Sequence, residues 1–214
     1  MVDIEKLYNE AESFFNKKDY KKAFNIYMEC AKENDPESLY MVGYMYEEAL
    51  GVEETIEEAF KYYKQAADLD FVDAIFNVGF FYENGLVVER DYIQAFNYYK
   101  KSSDLGDIEG TFMTGYMYEA GLGVDTNYEE AFKYYLKGAS LKDYKSCDRL
   151  GYFYEKGLGT EKNLEESIKW YNLSKEYEKY AAYAKVITDG GKVDVLEDSL
   201  AIAVEDADKA WIII

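Results

Sequence analysis

The sequence repeats itself with a fixed period of 36 residues, and this period constrains the fold more than any other feature. Blocks beginning at Leu39, Ile75, Thr111 and Cys147 align without a gap, and each carries a glycine at its fifth place: Gly43, Gly79, Gly115 and Gly151. Three places later stand Tyr46, Tyr82, Tyr118 and Tyr154, and four beyond those Leu50, Leu86, Leu122 and Leu158, inside EALGV, NGLVV, AGLGV and KGLGT. A unit of this length is one supersecondary element, too small to bury its own apolar face and therefore stacked on its neighbours. Glycine inside a helix costs about 1 kcal/mol against alanine, so its recurrence implies a close approach of backbones that a side chain would prevent.

After each loop comes a helix-start signal, Thr55, Asp91, Asn127 or Asn163, followed three residues on by Glu58, Gln94, Glu130 or Glu166. Each pair reads as a capping box, with the cap oxygen on a first-turn N–H and the Glu or Gln reaching back to the cap's own N–H. The helix that follows repeats as AFKYY, AFNYY, AFKYY and SIKWY. Its rows Tyr62, Tyr98, Tyr134, Trp170 and Tyr63, Tyr99, Tyr135, Tyr171 are expected in the core. Each block is thus a helix A, a glycine-bearing loop and a helix B. The single proline, Pro36, leaves long helices uninterrupted beyond it. The expected fold is all-α, a right-handed α-solenoid of stacked antiparallel hairpins.

Residues 1–38 carry an imperfect earlier unit, in which DYKKAFNIYMECA aligns with TIEEAFKYYKQAA but the loop lacks the glycines, as in a tetratricopeptide hairpin. Four repeats follow at 39–74, 75–110, 111–146 and 147–182. Residues 183–214 read as a degenerate half-repeat and a C-terminal capping helix, with Asp194 and Glu197 as a further capping box and Leu196, Leu200, Ala203, Val204, Ala207 and Trp211 on one stripe. The acidic residues of that helix match no calcium-binding loop.

Composition removes much chemistry. With no histidine among 214 residues, histidine acid/base catalysis, Ser-His or Cys-His nucleophiles and histidine-ligated zinc are excluded. Two cysteines cannot form a four-thiolate site. No metal or cofactor is expected. The formal charge of -19 disfavours nucleic acid and anionic lipid surfaces and favours a basic or amphipathic protein or peptide. No run approaches the roughly 18 apolar residues of a membrane span, and MVDIEKLYNE does not open like a secretory signal. With so few cysteines, a reducing, cytoplasmic location is expected.

The segment LGYFYEKGLGTEKNLEESIKWY, Leu150 to Tyr171, resembles the Sel1-like repeat (SLR), a relative of the tetratricopeptide repeat. The resemblance covers about residues 38 to 182 and implies a non-enzymatic scaffold or adaptor whose helix A side chains line a concave, protein-binding face. Departures are few: Ala49 stands at the first loop glycine of one repeat, Val87 at the second loop glycine of the next, and Thr160 ends the fourth loop. A secreted branch of the family ties each hairpin with a disulfide, but the required cysteines are lacking here. Cys30 aligns with Ala66 and reads as a small packed hydrophobe.

On helix A, three rows are candidates for binding, each repeat contributing one residue to every row: Tyr40, Tyr44 and Glu47 from the first, Phe76, Phe80 and Glu83 from the second, Phe112, Tyr116 and Glu119 from the third, and, after Asp148, Tyr152 and Glu155 from the fourth. Aromatic rings give large contact area with few rotors to freeze, and a carboxylate row favours lysine or arginine on the partner. Two bland readings stand beside this one. The aromatics fill seams between hairpins, or the glutamates pair with lysines or cap loop N–H groups. A hydrolase using a carboxylate pair such as Glu83 and Glu119 is the enzymatic alternative. It is weak because catalytic groups normally break a repeat. The apolar end Trp211, Ile212, Ile213, Ile214 suggests either packing on the last hairpin or self-association.

Overall fold

The structure, a computed structural model, describes residues 3–188, with side chains to residue 181. Among the described residues there are ten α-helices and no strand: α1 (Ile4–Asn16), α2 (Tyr20–Lys32), α3 (Pro36–Glu47), α4 (Ile56–Asp68), α5 (Val72–Asn84), α6 (Tyr92–Asp104), α7 (Ile108–Ala120), α8 (Tyr128–Ser140), α9 (Tyr144–Lys156) and α10 (Leu164–Thr188). From α1 to α9 each helix packs against the next in sequence. The chain divides into two units, Met1–Ser174 and Lys175–Ile214. The first is an α-solenoid of five helical hairpins, with α3, α5, α7 and α9 as helix A and α4, α6, α8 and the start of α10 as helix B. Of the second, the described part is the continuation of α10 to Thr188. The expected capping helix near Asp194 to Trp211 and the apolar end Trp211 to Ile214 lie outside the described residues.

Local chemistry sets the helix boundaries. Asp35, Asp107 and Asp143 cap the helix A starts at the N–H groups of Ser38, Gly110 and Ser146, and Pro36 occupies the first turn of α3. At the helix B starts, Asp91, Asn127 and Asn163 accept from first-turn N–H groups. Thr55 makes no such bond, because its hydroxyl turns to the Glu53 carbonyl. The other half of the expected capping box is not the one formed. The N–H groups of Thr55, Asp91, Asn127 and Asn163 donate instead to the carbonyls of Tyr46, Tyr82, Tyr118 and Tyr154 near the end of helix A. Glu58, Glu130 and Glu166 turn away to Lys61, Lys133 and Lys169. A single backbone bond therefore staples the base of each loop, and it removes the donor that the box would have used.

The glycine row does what its recurrence implied. A Cβ on Gly43 would sit 2.8 Å from the ring of Tyr63, and Gly79, Gly115 and Gly151 face Tyr99, Tyr135 and Tyr171 in the same way. Helix A thus lies directly on the helix B tyrosine ring. Tyr63, Tyr99 and Tyr135 are fully buried, and the rings of Tyr63 and Tyr135 meet Phe81 and Phe153 of the next hairpin at 6.1 and 5.3 Å between centroids. Neighbouring hairpins interlock through a second aromatic set. Tyr46 lies edge-on to Phe24 of the preceding helix B and stacks on Tyr62 of its own. Tyr82 does the same between Phe60 and Tyr98, and Tyr118 between Phe96 and Tyr134.

Gly51, Gly123 and Gly159 adopt positive φ, and a Cβ on Gly51 would lie 2.5 Å from the backbone of Tyr20 in the preceding repeat. At two of the three departures from the pattern, the chain holds side chains in the same left-handed region, with φ 53° at Ala49 and 66° at Val87. Both positions are strained.

Candidate protein-docking face

The three helix A rows occupy distinct environments. In the first row, Tyr40, Phe76 and Phe112 are half-buried, and each ring leans on the buried tyrosine of its own hairpin, at 5.4 Å from Tyr63, 5.2 Å from Tyr99 and 5.8 Å from Tyr135 between centroids. Tyr40 also contacts Phe71 of the next hairpin. Asp148 stands exposed at this place in α9. In the second row, Tyr44 is half-buried near Phe15, whereas Phe80 and Tyr116 are 43% and 40% exposed. Tyr152 is half-buried beneath the guanidinium of Arg149, 4.5 Å from its ring centre.

The third row carries a feature that the separate residue patterns did not announce. Glu47, Glu83 and Glu119 each accept a hydrogen bond of 2.6 Å from the hydroxyl of Tyr63, Tyr99 and Tyr135, sixteen residues on in the facing helix. Glu155 accepts from Tyr171 at 3.3 Å, and in the first hairpin Glu12 accepts from Tyr27 at 2.5 Å. A buried phenol must place its hydroxyl on an acceptor, and a half-buried carboxylate at the hairpin's edge supplies it. Burial, and then the bond to the carboxylate, pushes the phenols of Tyr27, Tyr63, Tyr99 and Tyr135 well above the ordinary tyrosine value. The signal was available in sequence: both rows run at 36 residues and stay sixteen apart.

Arg149 was also missed. It follows Met41, Asn77 and Met113 in register and is the only cation of that row. Two of its nitrogens, Nε and an Nη, donate to the Glu119 carboxylate. Burial opposes the charge of Arg149, but Glu119 more than restores it, so its pKa lies above the ordinary arginine value. In the same helix Lys145 bridges back to Glu109 of the preceding repeat and lies over the Phe112 ring. Repeat four thus neutralises part of the face that the earlier repeats leave acidic and aromatic.

Both cysteines are buried and unpaired, and burial pushes the Cys147 thiol up to about 11. Among the described residues, no group of three or more Cys, Asp or Glu is placed to hold a metal ion, and no helix is long and apolar enough to cross a membrane.

The glycine-tyrosine hairpin, repeated in register, has a counterpart among known repeats: Sel1 repeats match residues 36–71, 72–107, 108–143 and 145–176. The chain belongs to the Sel1 repeat family. Those boundaries follow the helices, with α3, α5 and α7 beginning at Pro36, Val72 and Ile108. A Sel1 repeat protein from Oxalobacter formigenes is 30% identical, with a TM-score of 0.75 over 84% of this chain and 73% of that one. The protein c5321, a protective antigen of uropathogenic Escherichia coli with an SLR fold, is 25% identical with a TM-score of 0.78. That alignment takes in 88% of this chain and 42% of c5321, so the chain spans less than half of that protein. The immunity protein Pa5087 from Pseudomonas aeruginosa, 19% identical over 81% of this chain and 66% of its own with a TM-score of 0.50, shares the fold. No curated protein matches the chain. Sel1 repeat proteins generally mediate protein–protein interaction and are typically non-catalytic scaffolds.

Proposed function

We propose that this Sel1 repeat protein is a non-enzymatic scaffold that docks a basic or amphipathic peptide or protein domain on its helix A face. The observation that carries this reading is the exposure of Phe80 and Tyr116 in one register on α5 and α7, each beside a glutamate, Glu83 and Glu119. Equivalent rings elsewhere in the row are half-buried, so these two are apolar area held ready at the middle of the repeat array. The residues assigned to docking are Tyr40, Tyr44, Glu47, Phe76, Phe80, Glu83, Phe112, Tyr116, Glu119, Tyr152 and Glu155. Within this set, Phe80 and Tyr116 supply contact area and the glutamates supply charge.

A net charge of -19 supports a basic partner and argues against nucleic acid. Two buried, unpaired cysteines support a reducing, cytoplasmic setting. The carboxylate-pair hydrolase loses ground because Glu83 and Glu119 both serve as acceptors for core tyrosines. The test is affinity capture from the native cell with the wild type beside a Phe80→Ala, Tyr116→Ala double variant. Loss of specific partners with unchanged helicity is expected. An identical set of partners from a folded double variant refutes the face.

A further inference from the structure

Arg149 shows, within the chain itself, what this face does with an arginine. Its guanidinium places two nitrogens on Glu119, a carboxylate already fixed by the Tyr135 hydroxyl, and lies 4.5 Å from the ring centre of Tyr152 one turn along the same helix. Carboxylate, phenol and aromatic plane together match the flat, forked, weakly hydrated guanidinium better than they match a lysine ammonium.

One repeat earlier the same parts recur. Glu83 is held by the Tyr99 hydroxyl, and Tyr116 stands where Tyr152 stands, but the place of Arg149 is taken by Met113, which brings no charge. Tyr116 remains 40% exposed, whereas Tyr152 is covered. Two repeats earlier, at Glu47 and Phe80, Asn77 stands in the arginine place and brings no charge.

The geometry points to a binding site for a partner's arginine side chain formed by Glu83, Tyr99 and Tyr116, built like the pocket that Arg149 fills in the next repeat. This deepens the docking reading and rests on it. The partner inserts a guanidinium where Met113 leaves the cradle uncharged, donating to Glu83 and stacking on Tyr116, while its neighbouring apolar residues meet Phe80. The thioether of Met113, packed against the buried cluster that includes Tyr99, is flexible enough to make room.

The experiment uses the full chain labelled at methionine methyl groups and tyrosine rings, titrated with acetyl-arginine amide and, as the uncharged isostere, acetyl-citrulline amide. The Met113 methyl and Tyr116 ring signals are expected to move with the arginine amide and not with the citrulline amide. Glu83→Gln, which still accepts from Tyr99, should weaken the response about tenfold. Met113→Arg should silence Tyr116 by filling the cradle from within, with helicity unchanged. Equal response to citrulline amide, no response at saturating arginine amide, or a response that survives Met113→Arg overturns the site. The two failures are distinguishable. If the Phe80, Tyr116 double variant loses its partners while arginine amide moves nothing, the face stands and the arginine cradle falls. If partner capture is indifferent to the double variant, which lacks Tyr116, the docking reading falls and the cradle's role toward a partner falls with it, even where arginine amide binds.

Discussion

Tyr99→Phe and Tyr135→Phe are chemically identical changes at fully buried positions one repeat apart, yet the structure assigns them different costs. Each removes a 2.6 Å hydrogen bond from a buried hydroxyl to a carboxylate. A hydrogen bond to a charged group contributes about 1.5–3 kcal/mol, and the lower half of that range applies because Glu83 is only half-buried and regains some water. Tyr99→Phe should therefore cost about 2 kcal/mol. At Tyr135 the abandoned carboxylate keeps both donors of Arg149, so the penalty should fall below about 1 kcal/mol. Urea unfolding followed by circular dichroism measures the difference, with midpoints compared at equal slope. A Tyr99→Phe, Glu83→Gln double-mutant cycle isolates the pair. The reasoning is refuted if Tyr135→Phe destabilises as much as Tyr99→Phe, or if the cycle shows no coupling.

Alkaline pH should unfold the protein. The phenols of Tyr8, Tyr27, Tyr63, Tyr99 and Tyr135 are raised by burial and by neighbouring carboxylates above their ordinary 10.0, so the folded state holds these protons more tightly than the unfolded chain. Their contribution is complete below about pH 10 and is lost progressively above it, which melting temperatures across pH 8 to 12 will register. Replacing Val87 by glycine should raise the melting midpoint by about 2–4 °C: relief of a β-branched residue at φ 66° is worth about 1–2 kcal/mol, partly offset by glycine's freedom in the unfolded chain. A midpoint that stays or falls rejects strain at Val87. Because burial pushes the Cys147 thiol up to about 11, Ellman's reagent at pH 8 should leave it unmodified until denaturant is added, and prompt labelling of the folded protein contradicts its burial.

The register of the hairpins was legible without coordinates because steric exclusion is periodic. Where helix A lies on a tyrosine ring, only glycine fits, and Gly43, Gly79, Gly115 and Gly151 record that exclusion once per turn of the array. The helix B tyrosines and the aromatic seam were legible for the same reason, since burial selects residue type position by position. The capping boxes were legible only in part. Ser, Thr, Asn or Asp followed three residues later by Glu or Gln is a local pattern, but the cap's own N–H was claimed by a carbonyl across the loop, a partner brought in by the chain reversal.

The sequence by itself determined the period, the hairpin and the stacking, because an apolar face repeated at fixed spacing has no other way to leave water. Only the tertiary structure decided which of the helix A carboxylates also gains a cation and which rings of the second row stay exposed. Glu83 and Glu119 are identical in type and register, yet Glu119 is clasped by Arg149 from the following repeat, whereas Met113 holds the arginine's register position one repeat earlier. Coulombic partnership falls off with distance through space and ignores distance along the chain, so it is settled when the hairpins stack.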